Sequence, residues 1–223
     1  MSEPSQTGFF ISFEGSEGCG KSTQIRLLIE SLTALGLEPI LVREPGGTPI
    51  GETIRHLLQH SDEGREMSPE AELLLFAASR AQLVRQTILP ALAAGRVVIS
   101  DRFLDSTTVY QGIARKIPAE TVAQINRFAA GPRLPDVTFV LDMDPAEAMR
   151  RLRERRNGAT APRDRMEEEP PAFYEAVRNG YLAIARAEPE RLRVLDASQA
   201  PETIARAIRA ELQRHAIFQG IRV

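Results

Sequence analysis

The chain has 223 residues, 26% charged and 43% hydrophobic, and its 28 Lys and Arg against 30 Asp and Glu give a formal net charge of −2. That balance excludes bulk attraction to nucleic acid or to an anionic membrane, and the single cysteine, Cys19, excludes an internal disulfide. No apolar run reaches the length of a membrane span, and Met1-Ser2-Glu3-Pro4-Ser5-Gln6-Thr7 lacks the basic and apolar regions of a signal peptide. The expectation is a cytoplasmic protein built as one α/β domain over residues 1–223.

In chain order, residues 1–7 read as a disordered tail. The first strand is the apolar run at residues 9–13, and directly behind it stands Gly15-Ser16-Glu17-Gly18-Cys19-Gly20-Lys21-Ser22, a complete G-x-x-x-x-G-K-[ST] element. Glycines there let the backbone curl so that its N–H groups face phosphate oxygens. Lys21 reaches the β- and γ-phosphates, and Ser22 offers a hydroxyl to Mg²⁺. A helical pattern from Thr23 to Leu35, stopped by Gly36, places a positive helix end under those phosphates. A nucleoside triphosphate is the ligand this chemistry fits.

A second strand covers residues 40–42 and runs into Arg43-Glu44-Pro45-Gly46-Gly47-Thr48. Helices follow over residues 50–59 and 69–94, the latter stopped by Gly95. The third strand, residues 97–100, ends in Asp101-Arg102-Phe103. An acid in that position of a phosphate-loop protein reaches Mg²⁺ or its water, while Arg102 beside it calls for a second anion, which a phosphate-bearing acceptor supplies. A helix over residues 118–130 and a strand over 137–141 lead to Asp142 and Asp144, read as turn chemistry before Pro145. The last strand and helix are residues 192–195 and 201–215. Five β runs separated by helices describe a parallel sheet, whose ligands lie beyond the carboxyl ends of its strands.

Between the fourth and fifth strands stand Arg150, Arg151, Arg153, Arg155, Arg156, Arg163 and Arg165, interrupted by Asn157-Gly158-Ala159-Thr160-Ala161-Pro162. The break predicts two helical arms and a mobile tip, a lid over residues 150–169. So many arginines exceed what i,i+4 surface pairing absorbs. On a closing lid they compensate charge on a phosphoryl group in transfer and keep water out.

Six ordered motifs then carry a resemblance: the phosphate loop with its flanks Phe13-Glu14 and Thr23; Arg43 to Thr48; Leu75-Phe76-Ala77-Ala78-Ser79-Arg80; Asp101-Arg102-Phe103; Tyr110-Gln111-Gly112; and Asp164-Arg165-Met166-Glu167. Together they resemble the bacterial thymidylate kinases, within the nucleoside monophosphate kinases, whose catalytic arginines sit in the lid. The resemblance implies a P-loop NTPase three-layer sandwich with a five-stranded parallel sheet. It also implies transfer of a phosphoryl group from ATP to dTMP with Mg²⁺, on the way to dTTP, by a homodimer.

Carried over by residue, the resemblance implies that Phe76 stacks on thymine and Arg80 bonds a base carbonyl, with Thr107 and Gln111 completing the base's polar edge. Arg55 and Arg102 clamp the acceptor phosphate. Arg43, Glu44 and Pro45 shape that pocket, and Tyr110 lies by the deoxyribose. Glu17 serves the sugar 3′-hydroxyl or, with Ser22 and Asp101, the metal. Arg151 stacks on adenine, and Lys21, Arg102, Arg153 and Arg165 share the catalytic charge. Thr107-Thr108-Val109 departs from the family's usual small Ser- and Ala-containing run. A nucleotide-dependent switch would need Asn-Lys-x-Asp and Asp-x-x-Gly, and neither occurs.

Overall fold

A computed structural model describes residues 8–64, 66–156, 165 and 169–222. Five strands form one parallel sheet in the order β2-β3-β1-β4-β5, with β1 Phe9–Glu14, β2 Ile40–Arg43, β3 Val97–Asp101, β4 Val137–Asp142 and β5 Leu192–Asp196. All five lie where the apolar runs predict them, each one residue longer at its carboxyl end. These runs are continuous rather than alternating because helices cover both faces of the sheet.

Period-two alternation assigns side chains to those faces. Ile11 and Phe13, Val97 and Ile99, and Phe139 and Leu141 form one core with Ile25, Leu28 and Leu32 of α1 (Lys21–Thr33) and Ile204, Ile208 and Leu212 of α9 (Pro201–Leu212). Phe10 and Val98 face the other way. They pack on Leu83 of α3 (Pro69–Leu83), on Val84 and Ile88 of the π-helical turn Val84–Ile88, and on Leu92 of α4 (Leu89–Ala93). Beyond them Val140 and Leu192 meet Phe173, Val177 and Tyr181 of α8 (Pro171–Ala187). On this second face Ser12, Glu14, Ser100 and Thr138 are wholly buried polar residues inside the strands.

Several helices differ from the sequence expectation. The single helix expected over residues 69–94 is α3, a π turn and α4. Pro90 has no N–H to return to Gln86, and the backbone widens just ahead of it. α5 (Leu104–Thr107) and the π-helical Thr108–Ala114 behind it were not foreseen, nor was α8. α2 (Pro49–Gln59) starts one residue early, capped by the Thr48 hydroxyl, which accepts from Gly51 N. α6 (Ala119–Ala130) begins after Pro118, and α9 stops at Leu212 rather than residue 215. α7 (Pro145–Arg156) covers the stretch where the first lid arm is expected. The tail 1–7, the tip 157–162, Arg163, Asp164, Met166 and Glu167 lie outside the described residues.

Candidate active site

At the carboxyl edge of the sheet, β1 turns sharply into α1. Gly18 has φ +78°, and a Cβ there would stand 2.2 Å from the carbonyl oxygen of Ala148 on α7, so the position admits glycine alone. Lys21 is folded back into this loop, its Nζ donating to the carbonyls of Gly15 at 3.1 Å and Ser16 at 2.9 Å. Cys19 points into the first core, as a small residue that fits.

A cavity of about 370 Å³ opens in front of the loop, within the usual size of a small-ligand site. One wall brings together Glu17, Gly18, Gly20, Lys21, Ser22, Thr23 and Asp101. Its other walls are Arg43, Glu44, Pro45, Arg55, Phe76, Arg102, Thr107, Tyr110 and Gln111, all expected there, together with Gln59, His60 and Ser106, which were not. Segments far apart in the chain therefore converge on one space, as strand ends of a parallel sheet require.

Arg102 is the centre of this convergence. Its backbone is left-handed at φ 71°, strained for a residue with a side chain, and its guanidinium is held from several sides. It donates to Glu17 Oε1 at 2.5 Å, Ser106 Oγ at 3.1 Å, Tyr110 Oη at 3.3 Å and Tyr181 Oη at 3.4 Å, over the Tyr110 ring. Burial opposes its charge, yet Glu17 and the surrounding groups outweigh that and hold it firmly protonated.

Glu14 supports it from below. Its carboxylate accepts from Phe103 N at 2.7 Å, Ser106 Oγ at 2.6 Å and Tyr181 Oη at 2.9 Å. Enclosure, then the charge of Asp105, drives its pKa from 4.5 up to about 7 against the lowering effect of Arg102, Ser106 and the Phe103 N–H. Tyr110 and Tyr181, equally enclosed, hold their phenolic protons more tightly than usual.

Arg80 departs from expectation. It is 1% exposed and lies beneath the cavity wall. Nε donates to Glu44 Oε2 at 2.8 Å, Nη1 to Asn126 Oδ1 at 2.8 Å, and Nη2 to Thr107 Oγ1 at 3.0 Å and to the Phe103 carbonyl at 3.2 Å. Burial raises the Glu44 pKa despite that pairing, and Glu44 Oε1 is enclosed without a hydrogen-bond partner among the described residues.

The arginines expected in a lid divide. Arg150 pairs with Glu147 and Glu154 on the surface of α7, so ordinary helix pairing does absorb it. Arg151 donates to Glu147 Oε1 at 2.9 Å and to the Ala197 carbonyl at 3.2 Å, beside the loop after β5, where the resemblance puts adenine. Arg153 is exposed on α7. Arg165 is not at the phosphate loop. It bonds Glu72 on α3 and, through Nε, the Leu58 carbonyl at 3.1 Å.

Ser22 and Asp101 share the wall next to the loop and suit Mg²⁺, which takes one hydroxyl and one carboxylate and leaves its remaining positions to phosphate and water. Glu17 fits less well, since its carboxylate pairs with Arg102. No cluster of three His, Cys, Asp or Glu suited to a metal occurs among the described residues. Sequence reasoning missed Glu14, Glu72, Ser106, Asn126 and Tyr181. A signal existed for two: an acid closing an otherwise apolar strand, and Phe173, Val177 and Tyr181 at helical spacing behind Pro170-Pro171.

Comparison with known proteins gives the family. Residues 13–208 match the family model described as Thymidylate kinase. A curated thymidylate kinase of Desulfosudis oleivorans is 48% identical over 207 residues, 92% of this chain and 96% of that one. One of Symbiobacterium thermophilum is 50% identical over 200 residues, 90% of each chain. The crystal structure of thymidylate kinase from Ehrlichia chaffeensis superposes with a TM-score of 0.73 at 32% identity, covering 92% of this chain and 98% of that one.

Proposed function

Because the chain belongs to the thymidylate kinase family, whose phosphate-loop fold it shares, we propose that its cavity holds dTMP on the Arg102 side and the triphosphate of ATP on the Lys21 side. The activity is phosphorylation of dTMP to dTDP. One observation carries the assignment of the two ends: the loop with Lys21 and Ser22 and the acceptor groups Arg55, Phe76, Arg102 and Gln111 line a single continuous space.

The acceptor phosphate is largely dianionic at neutral pH, its second pKa being about 6, so no general base is required. The protein's task is to bring two anions together. Lys21 and the loop N–H groups draw charge from the donor phosphates, while Arg55 and Arg102 hold the acceptor oxygen in line. Phe76 offers a face for the base, Gln111 and Thr107 offer polar contacts, and Tyr110 lies toward the sugar. Arg151 supports the adenine end, and Arg153, exposed on α7, supplies charge from the lid over 150–169. Arg80, beneath the cavity wall, acts by fixing Glu44 and Thr107. When bound, Mg²⁺ on Ser22 and Asp101 shields the donor oxygens. The setting is a cytoplasmic homodimer, supported by exposed Leu74 on α3 and Phe128 on α6, two helices packed on each other.

ADP release measured with Mg-ATP and each of dTMP, dUMP, dCMP, dGMP, AMP and thymidine tests this reading. Preference for dTMP supports the pocket, and turnover of a different monophosphate in preference to it overturns the base assignment. Turnover of thymidine itself overturns the phosphate clamp.

A further inference from the structure

Glu72, on α3, is 1% exposed and does not itself line the cavity. Gln111 Nε2 donates to its Oε1 at 2.8 Å. Arg115 grips both carboxylate oxygens, Nε to Oε1 at 3.3 Å and Nη2 to Oε2 at 3.2 Å, and Arg165 bonds Oε2. Burial opposes ionisation of this acid, but the bonds from Gln111 and Arg115 outweigh it and leave its pKa below the ordinary carboxylate value.

An ionised carboxylate only accepts hydrogen bonds. It therefore decides which end of the Gln111 amide faces it. The NH₂ group must turn to Glu72, and the amide oxygen is left for the cavity that Gln111 lines. That oxygen has no hydrogen-bond partner among the described residues.

We propose that Glu72 is a specificity-determining positioning residue: by locking the Gln111 amide, it presents a hydrogen-bond acceptor to the base edge and so selects pyrimidines whose N3 carries a proton. This rests on the pocket assignment above. Thymine and uracil carry that proton; cytosine and isocytosine present a lone pair there instead, which faces the amide oxygen with no hydrogen between. Two further facts favour a fixed polarity over a freely flipping amide. Both Glu72 oxygens are engaged, so the carboxylate cannot swing away, and Gln111 is itself 1% exposed.

The test uses bases altered at N3 but unaltered at O4: dTMP, N3-methyl-dTMP, and the monophosphate of 5-methyl-2′-deoxyisocytidine, whose N3 is an acceptor. With the intact enzyme, kcat/KM for both analogues is expected to fall at least about 100-fold below dTMP, the scale of a lost or opposed buried hydrogen bond. In Glu72→Gln the facing amide donates or accepts equally well. Gln111 then turns either way, and discrimination against the isocytosine nucleotide is expected to shrink at least about tenfold, while N3-methyl-dTMP stays excluded. A merely structural role would lower all substrates together and leave the ratios unmoved, which overturns the proposal. Should the variant fail to fold, the intact enzyme still decides: acceptance of either analogue within a few-fold of dTMP overturns the acceptor polarity. Absence of any dTMP turnover would instead overturn the pocket assignment itself.

Discussion

A carboxylic acid enclosed at the end of a central strand binds its proton more tightly in the folded chain than in the unfolded one, and Glu14 is such an acid. With a folded pKa of about 7 and an ordinary value of 4.5, the folded protein holds more protons throughout that interval. Its contribution to stability is present in full below pH 4.5 and is lost as pH rises through about 7, on the order of 3 kcal/mol in all. Urea unfolding between pH 5 and 8 should show the native chain losing stability with rising pH and Glu14→Gln losing markedly less; parallel curves would contradict the assignment. The pair Phe76 and Arg80 marks how far single residues are legible. Their i,i+4 spacing and the motif around them were plain, but period alone does not tell a cavity wall from the layer beneath it. Only the depth of α3 against α5 and α6 separates exposed from enclosed there, and that depth arises from contacts distant in sequence.

At the level of elements, the strands were readable because a sheet covered on both faces demands unbroken apolar runs, and the loops after them because glycine and charge gather there. α8 escaped although Phe173, Val177 and Tyr181 stand at helical spacing, because no glycine stop defines its end. The π-helical Thr108–Ala114 escaped because nothing in a 3.6-residue period announces a wider turn. The joint between β1, its loop and α7 yields a sharp expectation. Gly18→Ala adds a methyl group at 2.2 Å from a backbone oxygen in a conformation that alanine avoids, so either the loop or α7 must shift. Turnover should fall at least about 100-fold, as a displacement of about 1 Å in a positioned site does, with far-ultraviolet circular dichroism unchanged. Near-native kcat would show that the loop tolerates the displacement.

Across the whole molecule, Phe128 is 80% exposed and Leu74 56% exposed on neighbouring helices, an apolar cost that a second copy of the chain would remove. Phe128→Asp should move sedimentation equilibrium toward the monomer by at least a factor of about ten in dissociation constant, the equivalent of 1.4 kcal/mol, with the thermal unfolding profile retained. An unchanged dissociation constant would remove that helix pair from the interface. The strand order carries a consequence of another kind. β1 is bonded along both sides, to β3 and to β4, whereas β2 and β5 each have one free edge. Edge strands open in small fluctuations; a middle strand gives up its amide hydrogens only when the sheet itself comes apart. The loop proposed to hold phosphate is thus anchored at one end in the part of the chain slowest to exchange with solvent, and breathing of β2 or β5 passes it by.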